Sequence, residues 1–451
     1  MDQVKYPDFR RLKIAVIGTG IAGMATAWLL NQHHKVTVYE KNKWVGGHAN
    51  TVDVLESSSC TPVDTGFIVY NETSYPNLVA LFNYLNVPTK NSEMSFAASL
   101  ENSSFEYSGT DLNGLIGQRR NIVRPRFWNM MRDVLRFYKI APEWLEKNDD
   151  NSLCLGQFLR DNNFSKSFIH DHLLPMGAAI WSTTALDMQS YPARAFLNFF
   201  QSHGLLLLRD RPQWRTVDGG SRSYVKRLTA DYVDQIRKTR VTRVLRWPDK
   251  VIVEDCSGDT ATYDYAVLAV HADEALAILS DPDHQETGIL GNWRYTHNRA
   301  VLHTDASFMP KRRRIWSSWN FIEHANQDPN QPANEHSFCV TYWMNKLQSL
   351  ESTSPLFVTL NPPHEPATDK IICEFDYTHP CFDHIALTSQ QQLWSLQGHR
   401  RIWYCGSYFG YGFHEDALQA GLAVAEELGG VQRPWSVANE NGRICTERQT
   451  G

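Results

Sequence analysis

An apolar segment, Ile14 to Ile17, enters the turn Gly18-Thr19-Gly20-Ile21-Ala22-Gly23. A helical run leaves that turn, and a second apolar segment, Val36 to Tyr39, delivers an acid at Glu40, twenty positions after Gly20. Three glycines alone would make only a turn, but strand, G-x-G-x-x-G turn, helix and a correctly spaced acid together form a dinucleotide-binding unit. Gly18 permits the tight turn, Gly20 lets the backbone approach a pyrophosphate, and Gly23 lets the helix pack closely on the strand. Ile21 and Ala22 open the helix, whose unpaired N–H groups and positive dipole end suit phosphates. Glu40, with Lys41 beside it, accepts from a ribose hydroxyl.

A chain of 451 residues is longer than one hydrophobic core supports, so two domains are expected. Its net charge of -5, with 21% charged residues and no basic tail, gives no footprint for a nucleic-acid partner. The eight cysteines include no C-x-x-C pair, which fits reduced thiols in a cytoplasmic protein better than a disulfide or zinc framework, and no metal site is expected. The first strand leaves no room for a cleaved signal, and no apolar run reaches the roughly 18 residues that a spanning helix requires.

Further along, Gly46-Gly47-His48 lets a second loop lie against the dinucleotide, and Asp64-Thr65-Gly66 follows. At Val217-Asp218-Gly219-Gly220-Ser221 a helix opens. It leads to apolar runs at 241–244, 251–254 and 265–270, which read as strands. Finally Ile402-Trp403-Tyr404-Cys405-Gly406 runs through a glycine loop into a helix starting near His414-Glu415-Asp416-Ala417. A strand, a glycine loop and a helix N-terminus repeat the geometry that suits a polar ligand.

These motifs resemble the flavin amine oxidase superfamily, with His48 standing where that family usually has an arginine. Phrases such as Asp64-Thr65-Gly66-Phe67-Ile68-Val69-Tyr70-Asn71 and Gly412-Phe413-His414-Glu415-Asp416 are similar, more narrowly, to amine-oxidase-like flavoproteins associated with cyclopropane fatty acid synthases. The likeness implies an α/β fold: a doubly wound Rossmann-type domain for FAD, built from residues 1–89, 215–299 and 391–451, and a mixed α+β substrate domain from 90–214 and 300–390. It implies non-covalent FAD held by the residues above together with Gly46, Gly47, His48, Asp64, Thr65, Gly66, the backbone of Val244 or Val241, Gly406, Glu415, Asp416 and Ala417. For Glu415 and Asp416 the alternative is favourable charge at a helix start, and Cys405 reads as a core strand residue.

By the same likeness Arg299 aligns with the lysine that such enzymes place near the flavin, and Phe413 with one ring of their aromatic cage. Arginine holds charge but is no base at neutral pH. His303 and His414 are therefore the candidates for proton transfer, each weighed against a structural role. The implied reaction is hydride transfer to FAD from a largely apolar substrate, an unsaturated or modified acyl chain or lipid. An isomerisation without net redox change, oxidation of a free amine, and a non-catalytic lipid-binding flavoprotein are the alternatives. Gln118 to Phe137 mixes arginines with bulky apolar residues and reads either as a domain helix or as a surface touching an anionic membrane. Lys311-Arg312-Arg313-Arg314 reads as a solvated turn or a contact for a phosphate or carboxylate headgroup, and Trp316, Trp319, Tyr342 and Trp343 as packing of the substrate domain or lining of its pocket. The oligomeric state is left open.

Overall fold

In the computed structural model, which describes residues 10–56, 59–109, 111–148, 153–181, 185–324 and 337–447, the strand Lys13–Ile17 is buried through its last four residues. It is the centre of a five-stranded parallel sheet ordered 236–237, 35–39, 13–17, 265–268, 402–404. Strands covered on both faces read as continuous apolar runs, which is why Ile14–Ile17 and Tyr265–Leu268 stand out in the sequence. All ten residues of the helix Ile21–Leu30 are buried. This helix meets the C-terminal helix His414–Gly429 at Gly421, where a Cβ would come within 2.3 Å of the Ala22 carbonyl oxygen. The Thr26 hydroxyl, 2.9 Å from the Gly421 carbonyl, ties the two helices at that point.

Two of the three expected strands of this region leave the parallel sheet, while the third, Tyr265–Leu268, stays in it. Val241–Arg246, Val251–Asp255 and Thr260–Tyr263 form a separate antiparallel sheet. The reason is connection length: only residues 247–250 and 256–259 join them, far short of the dozen or so that a parallel crossover needs. This sheet packs beside the parallel one, with the Tyr39 and Tyr263 hydroxyls 2.8 Å apart.

A seven-stranded sheet, ordered 371–381, 294–303, 357–360, 337–343, 319–324, 96–100, 105–108, is the second large layer. Residue 299 lies inside its strand Arg294–His303. Helices including Pro125–Lys147 and Ala193–Ser202 cover the remaining side of the space between the sheets. Trp319 and Tyr342 pack edge to face at 4.8 Å, and Trp316 and Trp343 at 5.4 Å. Arg312 is not solvated as the sequence suggests, because it pairs with the fully buried Glu106. No helix of the described residues is long and apolar enough to cross a membrane.

The contact at Gly421 is testable. Gly421→Ala forces the two helices apart and is expected to cost about 1–3 kcal/mol, read as a lower thermal midpoint. Gly288→Ala, whose Cβ meets nothing within 4 Å, should leave the midpoint unchanged or higher.

Candidate functional site

A cavity of about 1260 Å³ lies between the parallel sheet, the seven-stranded sheet and the helices. Its lining includes Ile17, Gly18, Tyr39, Glu40, Ala269, Val270 and Gly406, at the carboxyl ends of the parallel strands where open α/β sheets bind ligands. One small-molecule site occupies roughly 300–1,000 Å³, so there is room for a dinucleotide and a second molecule.

At one end the glycine turn is held by backbone. Gly18 has φ of +104°, and a Cβ there would come within 2.4 Å of the Ala269 carbonyl. A Cβ on Gly20 would meet nothing within 4 Å. It would stand in the cavity, in the space that a close-approaching ligand takes. The buried Glu40 accepts from the Thr19 N–H at 3.1 Å and the Asn42 N–H at 2.7 Å, bracing the turn while its carboxylate borders the cavity. Lys41 borders it too, paired with Glu274. Gly47, at φ of +59°, brings its loop so close that a Cβ would lie 3.0 Å from the Gly20 Cα. His48 follows, its Nε2 buried without a hydrogen-bond partner among the described residues. Open space at Gly20, an unspent helix N-terminus and an orphaned ring nitrogen fit a bound dinucleotide.

Of the remaining expected residues, Ile21, Ala22, Gly46, Thr65, Gly66, Gly406, His414 and Ala417 also line the cavity. Gly23 lies behind it, where a Cβ would strike the Gly18 carbonyl at 2.1 Å.

Others stand away from the lining, each for a physical reason. Asp64 is buried and accepts from the Ser221 N–H at 2.9 Å, the Ser221 hydroxyl at 2.7 Å and Gln348 Nε2 at 2.7 Å, bracing the start of the helix Arg222–Thr229. Burial raises its carboxyl to about 6. The Val244 carbonyl is taken by the Ser280 N–H at 3.1 Å, so Val241, with Thr239 and Arg240, borders the cavity instead. Glu415 points backward to accept from the Asn77 and Leu78 N–H groups at 3.0 and 2.9 Å. Asp416 accepts from the Phe413 N–H at 2.7 Å and pairs with Arg443. Arg299 is on the outer face of its strand, ion-paired with Glu365 and Glu374, and so is not placed to hold charge beside a flavin. His303 is fully buried with both ring nitrogens engaged, Nε2 at 2.7 Å from the Thr359 hydroxyl and Nδ1 accepting from the Asp305 N–H at 3.0 Å. It is a structural histidine.

The other end of the cavity gathers aromatic rings around Phe413 and His414, most of which no motif announced. The His414 ring stacks on Phe67 at 3.8 Å, with its Nε2 2.6 Å from the Tyr224 hydroxyl, and burial lowers it to about 3. His48 stacks on Tyr377 at 4.9 Å, 5.2 Å from the His379 ring. Burial, then the neighbouring His379, holds His48 well below the usual histidine range, and burial brings His379 to about 4. Tyr377 in turn is joined to the Thr65 hydroxyl at 2.7 Å. Trp181, Phe199 and Phe413 cluster beyond, Phe199 stacking on Phe413 at 4.6 Å. Tyr377 and His379 alternate along one strand, a signal the sequence does carry.

From the rings an arm runs past Met131, Val134, Leu205 and Leu208 to Tyr138 and Arg211. His172, in the π-helical turn Ile169–Leu173, adds a polar point, its Nδ1 2.9 Å from the Tyr107 hydroxyl. Among the described lining residues, lysine and arginine occur only as Lys41, Arg240 and Arg211. Lys41 and Arg240 flank Glu40, whose N–H donates to the Arg237 carbonyl at 2.9 Å. Arg211 is at the opposite rim. The ring end therefore has no permanent cation, and burial holds four of its histidines, His48, His203, His379 and His414, below the usual range.

The sequence pattern of the flavin containing amine oxidoreductase family matches residues 21–359. No curated protein sequence matches the chain. Among solved structures, a CLA-producing fatty acid isomerase from P. acnes is similar with TM-score 0.64 at 16% identity, over 92% of this chain and 97% of that one. Cyclohexylamine oxidase from Brevibacterium oxydans IH-35A has TM-score 0.64 at 14% identity, over 93% and 100%. A putative protoporphyrinogen oxidase from Exiguobacterium sp. 255-15 has TM-score 0.62 at 13% identity, over 93% and 99%. At these identities the likeness is one of fold.

Gly20→Val should fold with a thermal midpoint near that of the parent, because a Cβ at this position meets no protein atom within 4 Å. The flavin absorbance per mole of purified protein should fall to a small fraction of the parent's. Full retention of flavin would show that this turn does not face the cofactor.

The buried histidines give the fold an acid limit. His203, buried with Nδ1 2.9 Å from the Phe199 carbonyl, is lowered to about 3 by burial. The folded chain refuses a proton that the unfolded chain accepts near pH 6.5, so stability is full above that pH and is lost as pH falls toward 3. Melting between pH 7 and 5 should show this decline, and His203→Asn, which keeps a donor for Phe199 but cannot be protonated, should make it shallower.

Proposed function

We propose, for a chain that belongs to the flavin containing amine oxidoreductase family, that non-covalently held FAD and a long apolar substrate share the cavity. The protein is a flavin-dependent oxidoreductase. In this reading the turn at Gly20, the loop at Gly47 and the N-terminus of the helix Ile21–Leu30 face the pyrophosphate. Glu40 faces the ribose, and Gly406, His414 and Ala417 border the flavin ring. Cys405 is buried away from the lining, its Sγ near the Thr26 hydroxyl, and the described lining contains no cysteine, which supports a dissociable cofactor.

Bound FAD supplies a hydride acceptor, renewed by oxygen or another oxidant. The chain's part is placement and exclusion of water. Tyr224 and Phe67 fix the His414 ring, Tyr377 is fixed by Thr65 and Asn50, and Trp181, Phe199 and Phe413 wall the junction with the arm. Neutral His414 can accept or relay a proton but does not present a cation to a substrate.

The observation that carries the substrate class is the arm itself. From Phe413 to the rim its walls are largely apolar, and the first permanent cation is Arg211, beside the Tyr138 hydroxyl at 3.4 Å. An unsaturated or modified acyl chain with its polar end toward Arg211 matches that distribution. A cationic amine gains no partner there. A second reading, isomerisation of such a chain without net redox change, is favoured by the fold shared with a fatty acid isomerase.

Anaerobic addition of unsaturated fatty acids or their esters to the holoprotein should bleach the flavin's visible absorbance, and an acceptor should restore it. A product of unchanged mass, formed only with reduced flavin, would select isomerisation. Bleaching by simple amines and not by any acyl lipid would overturn the substrate assignment.

A further inference from the structure

The arm opens where Pro125–Lys147 meets the segment 205–211, and we propose that this rim docks on an anionic lipid surface. Along the helix, Trp128, Met131, Leu135 and Tyr138 are spaced by three, four and three residues, which places them on one stripe. Met131 and Tyr138 line the cavity, while Trp128 and Leu135, in the same stripe, are 54% and 52% exposed. Across the opening Leu208 is 66% exposed and also lines the cavity. Arg211 bridges the two sides, donating from Nε to the Leu207 carbonyl at 2.6 Å and from Nη2 to the Tyr138 hydroxyl at 3.4 Å. At the head of the helix Val123 is 82% exposed, and Trp128 Nε1 donates to the Ile122 carbonyl at 2.7 Å, which joins that turn to the stripe. Apolar side chains of this size, left in water and contiguous with an apolar tunnel, mark an interaction surface.

Charge selects the occupant. Residues 116–139 hold seven lysines and arginines against one acid, Asp133, in a chain whose net charge is -5. Arg132 and Arg136 are spent on that buried acid and Arg126 on Asp171. No ion pair among the described residues uses Arg119, Arg120 or Arg124, which flank the exposed Ile122 and Val123. Aromatic and aliphatic tips ringed by arginines outside any ion pair, two of them held by the Ser104 carbonyl, are the composition of a helix lying in a membrane interface, its apolar face in the acyl boundary and its cations on anionic headgroups. A folded acidic protein seated here would plug the mouth of the cavity. A lipid surface instead gives an apolar molecule a path from bilayer to arm without crossing water. That supply route rests on the acyl-substrate reading; the docking itself does not.

The test uses the full-length, flavin-loaded protein and sedimentation with vesicles of phosphatidylcholine alone or with about 30% phosphatidylglycerol. Binding to the mixed vesicles is expected, with little to pure phosphatidylcholine, and should weaken as salt rises. Arg119→Glu/Arg120→Glu should lower partitioning about tenfold or more. Trp128→Ser/Leu208→Ser should lower it at low salt, where the charges alone remain. Both pairs are on exposed side chains, so thermal midpoint and flavin content should match the parent and separate a docking defect from a folding one. Absence of binding to the mixed vesicles, binding unchanged in both pairs, or a self-associated species that hides this face would overturn the proposal. Flavin reduction by a detergent-dispersed acyl substrate is measured alongside. Its failure with docking intact counts against the substrate reading alone, and its success with docking absent counts against this inference alone.

Discussion

Backbone meeting backbone around one turn sets the rest of this structure. A Cβ on Gly23 would come within 2.1 Å of the Gly18 carbonyl, and one on Gly421 within 2.3 Å of the Ala22 carbonyl. The central strand, the first helix and the last helix are therefore held at a separation that side chains would forbid. That separation aims the N-terminus of Ile21–Leu30 at the cavity and puts the start of His414–Gly429 beside it. Residues almost 400 apart in sequence must find each other before the site exists, since Gly421 and Ala22 touch only in the finished fold. The hydroxyl of Thr26, between the Ala22 and Gly421 carbonyls, shows how little room is left there.

The parts of this arrangement that could be read from sequence are those in which local geometry and ligand geometry coincide. The turn at Gly18–Gly23, the acid at Glu40, the paired glycines 46 and 47 and the strand–loop–helix at 402–417 need no tertiary information, because a short motif already fixes which way its backbone faces. Side chains aligned by position along a strand carry no such guarantee. Arg299 sits on a strand whose register with 371–381 the sequence does not show, and its guanidinium is claimed by Glu365 and Glu374 instead. His303, Val244, Glu415 and Asp416 illustrate a second limit. Each is close in sequence to a cavity residue, but buried donors or acceptors nearby had first claim on its polar atoms. The His48–Tyr377–His379 stack joins segments hundreds of residues apart, and His172 meets Tyr107 from 65 residues away, so although 377 and 379 alternate along their strand, no local pattern reports what they meet.

Electrostatically the cavity is divided. Its Glu40 end offers backbone N–H groups, a helix dipole, Lys41 and Arg240, all suited to a doubly charged pyrophosphate. Its ring end offers histidines that burial keeps uncharged, with His414 lowered to about 3 and His379 to about 4. Desolvation that disfavours imidazolium disfavours any other cation in the same place. A protonated amine would therefore lose its hydration among neutral rings, whereas an apolar chain loses nothing polar on entry. The substitution of histidine for arginine at position 48 belongs to the same pattern, since it removes a permanent charge where the dinucleotide loop turns toward Tyr377.

The stripe Trp128, Met131, Leu135 and Tyr138 connects this division to the outside. A helix whose apolar positions served only the core would hide them all, yet half of this stripe faces the cavity and half faces water. Continuity between the two halves means that the wall of the arm and the surface around its mouth are one apolar face, interrupted by solvent only because the cavity opens there. Such a face costs solubility unless something covers it. The arginines along its edge keep it hydrated in solution and bias it toward negative charge, so the features that protect the free protein also choose its partner.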